Sequence, residues 1–263
     1  MLGSLLALGS GSLIGLVLGV IGGGGSILAV PLLVYAVGES SAHVAIGTAA
    51  FAVALNAAVS LALHARRAPI RWPCALVFSV AGVGGALAGA ALGKMMDGQK
   101  LLALFGLLMI VVGVMMLRPR ARSGLPSAWL SRATARRLLP RLLALGAAVG
   151  LLSGFFGIGG GFLIVPGLIL AADMELPDAV SASLVAVAAF GTASASSYAW
   201  SGLIDWPVAA LLVGGGLGGA IIGSKLQAVL ARRKDVLARV FAWFVMAAGL
   251  YVGVRGTLAV VQA

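Results

Sequence analysis

Charge is what this sequence has least of. Asp, Glu, Lys and Arg together make up 10% of its 263 residues, where a soluble protein carries about 25% to wet its surface. Apolar residues make up 61%, and the mean hydropathy is +1.13. So little charge cannot cover so much apolar side chain in water, and the solvent has to be lipid. Cysteine is also scarce. The single Cys74 excludes an intramolecular disulfide and a thiolate-rich metal cluster. Acidic residues number 7 against 18 basic ones. On a soluble domain that +11 excess would suggest nucleic acid. Here the basic residues mostly stand in short breaks between apolar runs, where they set membrane orientation, so no nucleic-acid partner is expected. Enzyme signatures are missing as well: there is no Gly-x-Ser-x-Gly, no His-Glu-x-x-His and no Walker sequence. Two histidines 21 residues apart with one cysteine make no metal site, and no cofactor is expected. The N-terminus lacks the basic stretch of a secretory signal and reads as part of the first span.

What the sequence has in quantity is apolar runs and glycine. A bilayer core about 30 Å thick takes about 20 helical residues to cross. The apolar stretches run over 3–37, 43–63, 72–93, 101–117, 139–171, 179–200, 206–230 and 240–258. Six have the length of one span. The first and fifth are too long for a single straight helix, and each is interrupted by glycines and then a proline. The one sizeable polar region, 118–138, holds six arginines, Pro119 and Pro126, and no acidic residue. It reads as a linker on the cytoplasmic, positive side.

The chain repeats itself across that linker. A shift of 135 places Gly15–Pro31 on Gly150–Pro166 with nine identities in seventeen positions. A shift of 134 places Ile70–Gly93 on Ile204–Gln227 with ten in twenty-four, the Ile-x-Trp-Pro included. The expected fold is therefore an all-α polytopic membrane protein made of two homologous repeats, over 1–117 and 139–263. Each repeat combines one Gly/Pro-broken helix or re-entrant hairpin with about three further spans. If each long segment crosses once, Lys and Arg divide 11 to 7 between the faces; if each returns as a hairpin, they divide 15 to 3. The positive-inside rule favours the second count, which makes the repeats inverted.

The glycine runs carry the first candidate chemistry: Gly22 to Gly25 with Ser26, and Gly157 with Gly159, Gly160 and Gly161. Each glycine costs a helix about 1 kcal/mol relative to alanine, so consecutive glycines should break it. Unwound backbone inside a bilayer must be buried in protein or line a cavity. After each run a short apolar stretch can form a half-helix whose N-terminus offers free N–H groups to an anion. Close helix packing is the competing reading for the flanking glycines Gly15, Gly19, Gly150 and Gly154.

The twice-occurring Gly-x-x-x-Gly, glycine run and Val-Pro, with the later Ile-x-Trp-Pro and Gly-Gly-Ala-x-x-Gly, resembles the TauE/SafE family of sulfite and organosulfonate exporters. The resemblance covers nearly the whole chain. It implies a polytopic inner-membrane (plasma-membrane) carrier of small sulfur-containing or related anions. Ser26 stands where the second half has Gly161; its hydroxyl could donate to a substrate oxygen or cap a half-helix.

Polar residues inside the spans complete the candidates. The first half offers His43, Thr48, Asn56, Ser60 and His64; the second offers Asp178, Ser181, Ser183, Thr192, Ser194, Ser196 and Ser197. Thr48 aligns with Ser183. Uncharged donors suit anion oxygens, so Ser26, Thr48, Asn56, Ser183 and Thr192 are expected to join the glycines in binding substrate. Bonding back to their own helix is the alternative for the hydroxyls. His43 and Asp178 open corresponding helices, where they could exchange protons or serve as caps. Gly85, Gly89 and Gly93, like Gly215, Gly219 and Gly223, recur every fourth residue on one face and are expected to pack helices. Trp72 and Trp206 are expected at the membrane interface. Three function classes stay open: a secondary carrier, a passive anion channel, and a membrane assembly protein that transports nothing. The sequence sets no oligomeric state.

Overall fold

The structure, a computed structural model, describes residues 2–65, 70–117, 132–157, 159–174, 176–230, 242–243 and 245–256. Among them every long element is helical: α1 Leu2–Ile21, α3 Ala42–Ala65, α4 Trp72–Met95, α5 Gly98–Leu117, α6 Arg132–Phe156, α7 Gly161–Ala172, α8 Leu176–Trp200 and α9 Trp206–Leu230. A short α2, Ala29–Pro31, and a last apolar helix α10, Val245–Gly256, complete the set. Seven of these helices are long and apolar enough to cross a membrane. Most of the expected linker lies outside the described residues. Its last part, 132–138, forms the first turns of α6 instead, since Arg-Ala-Thr-Ala-Arg-Arg-Leu contains no helix breaker before Pro140.

The Ile-x-Trp-Pro motif starts two helices in the same way. Pro73 and Pro207 each take the second position, where a helix needs no donor. Asp205 caps α9 through a bond from the Val208 N–H to its Oδ1 (3.1 Å). Arg71, its counterpart before α4, turns its side chain to another helix.

Two crossings built on glycine join the halves. α1 packs against α9, and α4 against α6. Gly15 of α1 lies against the backbone of Gly216, and Gly19 against Ala220 and Ser224. From α9, Gly215, Gly219 and Gly223 face Leu8, Ser12 and Leu16. On the other side, Gly85, Gly89 and Gly93 of α4 face Ala147, Leu151 and Phe155 of α6, while Gly150 and Gly154 face Gly82 and Ala86. Without side chains in the way, the backbones approach closely enough for dispersion and Cα–H···O contacts to hold them. The glycines expected to pack helices do so, and so do the flanking ones.

The registers fix helix directions. In α1/α9 and α4/α6 the residue numbers rise together, so both pairs are parallel. α3 runs parallel to α9, because Gly47 meets Leu203 and Asn56 meets Gly216. α4 runs parallel to α8, from Arg71 beside Asp178 to Lys94 beside Ser197. α3 and α8 are antiparallel: Gly47 meets Tyr198, and Gly191 meets Ala50 and Ala54. Hence α1, α3 and α9 point one way and α4, α6 and α8 the other. Each helix runs opposite to the one that repeats its sequence. α3 and α8 form the centre, with 67% and 78% of their spans buried against 39–44% for the other five.

Both long segments double back. A Cβ on Gly25 would lie 2.5 Å from the Leu18 nitrogen and 2.9 Å from the Ile14 oxygen, so the chain returns along α1. In the second half Gly160 lies on Ser153 and Gly167 near Val149, so α7 returns along α6. The two breaks differ in kind, although two equivalent half-helices were expected. The second run turns sharply through left-handed Gly157, Gly159 and Gly160 (φ +61°, +64° and +66°) and releases a regular 12-residue α7. The first coils as a 3-10 helix over Gly22–Leu28, passes through the three-residue α2, and ends as a π-helix over Leu32–Val37. This break never becomes a regular α-helical half-helix, although Pro31 aligns with Pro166, which lies inside the regular α7.

Candidate substrate site

The breaks meet in the interior. The Gly161 N–H, at the first position of α7, donates to the Ser26 hydroxyl at 3.2 Å. These two residues are 135 apart, the repeat shift itself, so the contact joins the same place in both halves. Ser26 is fully buried. It caps a half-helix, as one reading of the sequence allowed, but the half-helix belongs to the other repeat.

Around this junction stand α3 and α8 at their crossing. Gly157 lies against Ile46 of α3, and Gly159 against Val53 of α3 and Val187 and Gly191 of α8. At Gly160 a Cβ would meet the Ser153 hydroxyl at 2.6 Å. Ser153 is fully buried, and its Oγ has no hydrogen-bond partner. The Gly160 carbonyl accepts from Leu163 and Ile164 at 2.9 and 3.0 Å, which starts α7 cleanly. The centre thus holds a helix N-terminus, two hydroxyls and an apolar wall. That is a neutral cradle whose positive end is backbone dipole.

The other candidates are distributed as follows. Asn56, 1% exposed, lies against Gly216 of α9, and neither its Nδ2 nor its Oδ1 has a partner. Thr48 accepts the Asp205 N–H at 3.0 Å and so ties α3 to the start of α9. Ser183 is buried and donates to the Val180 carbonyl at 2.7 Å. Thr192 is on the exposed side of α8 and donates to its own Ala188 carbonyl at 2.7 Å. His43 sits beside Gly98 at the start of α5. Asp178 accepts from the Arg71 Nε at 2.6 Å in a partly buried ion pair. The structure therefore brings together Ser26, Gly25, Gly157, Gly159, Gly160 and Gly161. It places Asn56 on the neighbouring α1/α9 crossing and sets Thr48, Ser183, Thr192, His43 and Asp178 apart. For Gly22 and Gly24 only the 3-10 backbone is described.

Residues 7–252 match the family described as "Sulfite exporter TauE/SafE". The chain belongs to the TauE/SafE family. A "probable membrane transporter protein" of Xylella fastidiosa (strain 9a5c) is 45% identical over 94% of both chains. A protein of the same description from Bacillus subtilis (strain 168) is 27% identical over 85% of this chain and 84% of its own. One from Methanocaldococcus jannaschii is 26% identical over 76% and 79%. No solved structure matches the chain. TauE/SafE proteins are membrane transporters and not enzymes, and this chain is a multi-pass transporter embedded in the lipid bilayer.

Sequence reasoning missed Ser153, Arg71 and Lys94. Ser153 had a signal: it is a hydroxyl where the first repeat has Leu18. Arg71 and Lys94 count in the sequence only toward the charge of a loop, yet Lys94 donates to the Ser197 carbonyl (3.1 Å) and to the Ser197 and Ser201 hydroxyls (both 3.0 Å).

Proposed function

We propose that this TauE/SafE protein is a secondary carrier, working as an exporter, of small sulfite- or organosulfonate-like anions. The observation that carries this reading is the meeting of the two glycine breaks, at Ser26 and Gly161, beside the α3/α8 crossing. Broken helices at corresponding places in two halves mark a carrier's binding site. The α7 N-terminus would supply about half a positive charge, enough to hold a compact anion without trapping it. Ser26 and Asn56 are the proposed donors, with Gly22, Gly24, Gly25, Gly157, Gly159, Gly160 and Gly161 supplying backbone; Thr48, Ser183 and Thr192 would join them only in a state that frees them from the backbone bonds they make here. Ser26, Gly25, Gly157, Gly159, Gly160 and Gly161 have the strongest support, being at the junction. Proton coupling is proposed at His43 and Asp178, the latter ion-paired with Arg71.

In this reading the halves, 1–117 and 139–263, are inverted across a bacterial plasma membrane, and the 118–138 linker is cytoplasmic. The opposed directions of repeated helices support this. Purified protein in proteoliposomes tests the function. Saturable counterflow of radiolabelled sulfite or sulfoacetate is expected. Flux without trans-acceleration would make the protein a channel, and no solute-dependent flux would make it an assembly protein.

A further inference from the structure

We infer that the C-terminal halves of α3 and α8 line the two half-paths by which substrate reaches the centre from opposite membrane faces. This rests on the carrier reading and names its route. Among the described residues, buried hydroxyls and amides without a hydrogen-bond partner are few, and their placement is ordered. Ser153 is at the centre. Asn56 and Ser60 lie on α3 beyond its crossing with α8, and Ser194 and Tyr198 lie on α8 beyond the same crossing. Ser79 of α4 is the remaining one. Before the crossing the opposite holds: Thr48 and Ser183 are both satisfied by backbone.

Each pair is four residues apart, so it occupies one helical face. On α3 the row ends at Ser60, whose carbonyl is 2.8 Å from the Nδ1 of His64, buried at the last turn. On α8 it ends beneath Lys94, whose ammonium lies 5.7 Å from the Tyr198 ring centre. Because α3 and α8 are antiparallel and cross near their middles, the two rows diverge toward opposite faces. Buried polar groups normally find partners. Rows of unpartnered ones, leading outward from the binding site, fit surfaces that are wetted when the carrier opens to that side. The chemistry is uncharged and hydrogen-bonding, as an oxyanion in transit requires, with the Lys94 cation at one mouth.

The test uses single cysteines in a Cys74→Ala background, in vesicles of known orientation, with a membrane-impermeant maleimide. Ser60→Cys should react only from the face bearing 66–71, and Ser194→Cys only from the face bearing 201–205. Each should react at least tenfold faster than its buried neighbours Ala57→Cys and Ala195→Cys. Asn56→Leu with Ser60→Ala should keep the melting temperature while sulfite counterflow falls at least tenfold, a split that a purely structural role would not give. Labelling of both sites from one face would overturn the route. So would protection of both while the exposed Ser40→Cys reacts. If wild-type counterflow persists, such a result removes the route alone; absent wild-type counterflow removes the carrier reading.

Discussion

Gly160 concentrates two constraints in one residue. Its φ of +66° is costly for any side chain, and a Cβ would press on Ser153 at 2.5 Å. Gly160→Val should therefore lose about 1–3 kcal/mol to backbone strain alone and close the approach to the α7 N-terminus. Gly202 is the matched control. Its φ is +68°, but a Cβ there meets nothing within 4 Å. Gly202→Ala should lower the melting temperature modestly and leave sulfite binding intact. Equal binding by both variants would place the site elsewhere. Asn56 makes a different prediction, since its amide has no hydrogen-bond partner among the described residues. Asn56→Leu breaks no internal hydrogen bond, so stability should hold while binding weakens by about 1–3 kcal/mol, measurable by isothermal titration against thermal melting. The sequence marked both residues as candidates, one by its glycine run and one as an amide in lipid. It could not show that Thr192 faces outward or that Ser183 bonds its own helix. Both depend on side-chain direction, which a lone hydroxyl does not encode.

At the scale of elements, glycine spacing was the legible feature and glycine conformation was not. Positions 85, 89 and 93, and 215, 219 and 223, lie one helical turn apart, and the periodicity alone assigns them to a crossing. Gly84 and Gly218 occupy equivalent positions in the repeats but face open space, with nothing within 4 Å of a Cβ. Gly89→Leu and Gly219→Leu should thus destabilise by at least the about 1–3 kcal/mol of an overpacked interface. Gly84→Leu and Gly218→Leu should be close to neutral. Thermal unfolding in detergent distinguishes the sets, and similar losses in all four would refute the assigned faces. The two glycine runs, by contrast, look alike in sequence yet fold differently. Nothing in Gly-Gly-Gly-Gly-Ser against Gly-Ile-Gly-Gly-Gly fixes the sign of φ, which is set by what each glycine must pack against. The Arg71–Asp178 pair was equally hidden, because its partners are 107 residues apart and on different repeats. That ion pair and the Lys94 contacts fasten α4 to α8 at both ends. The corresponding α3/α9 pair has only the Thr48 hydroxyl bond at its start among the hydrogen bonds described.

For the whole molecule, helix direction and charge make the same prediction by independent routes. α3 ends at Ala65 and α4, running the opposite way, begins at Trp72, so these ends share a face. α6 runs as α4 does and begins at Arg132; α9 runs as α3 does and ends at Leu230. The ends at 65, 72, 132 and 230 therefore lie together, by packing register alone. Charge places Arg66, Arg67, Arg71, the seven arginines from Arg118 to Arg141, and the five basic residues from Lys225 to Arg239 at that same face, 15 of 18. The positive-inside rule predicts that this face is cytoplasmic. Reporter fusions after residues 67, 125 and 234 should all read cytoplasmic, and fusions after residues 40 and 202 should read external. The basic linker would then serve orientation and not recognition. Arg120→Gln, Arg122→Gln and Arg132→Gln together should leave sulfite affinity unchanged at normal membrane abundance. A fusion at 67 opposite to one at 234 would rule out inversion, because parallel repeats require those two loops on different faces.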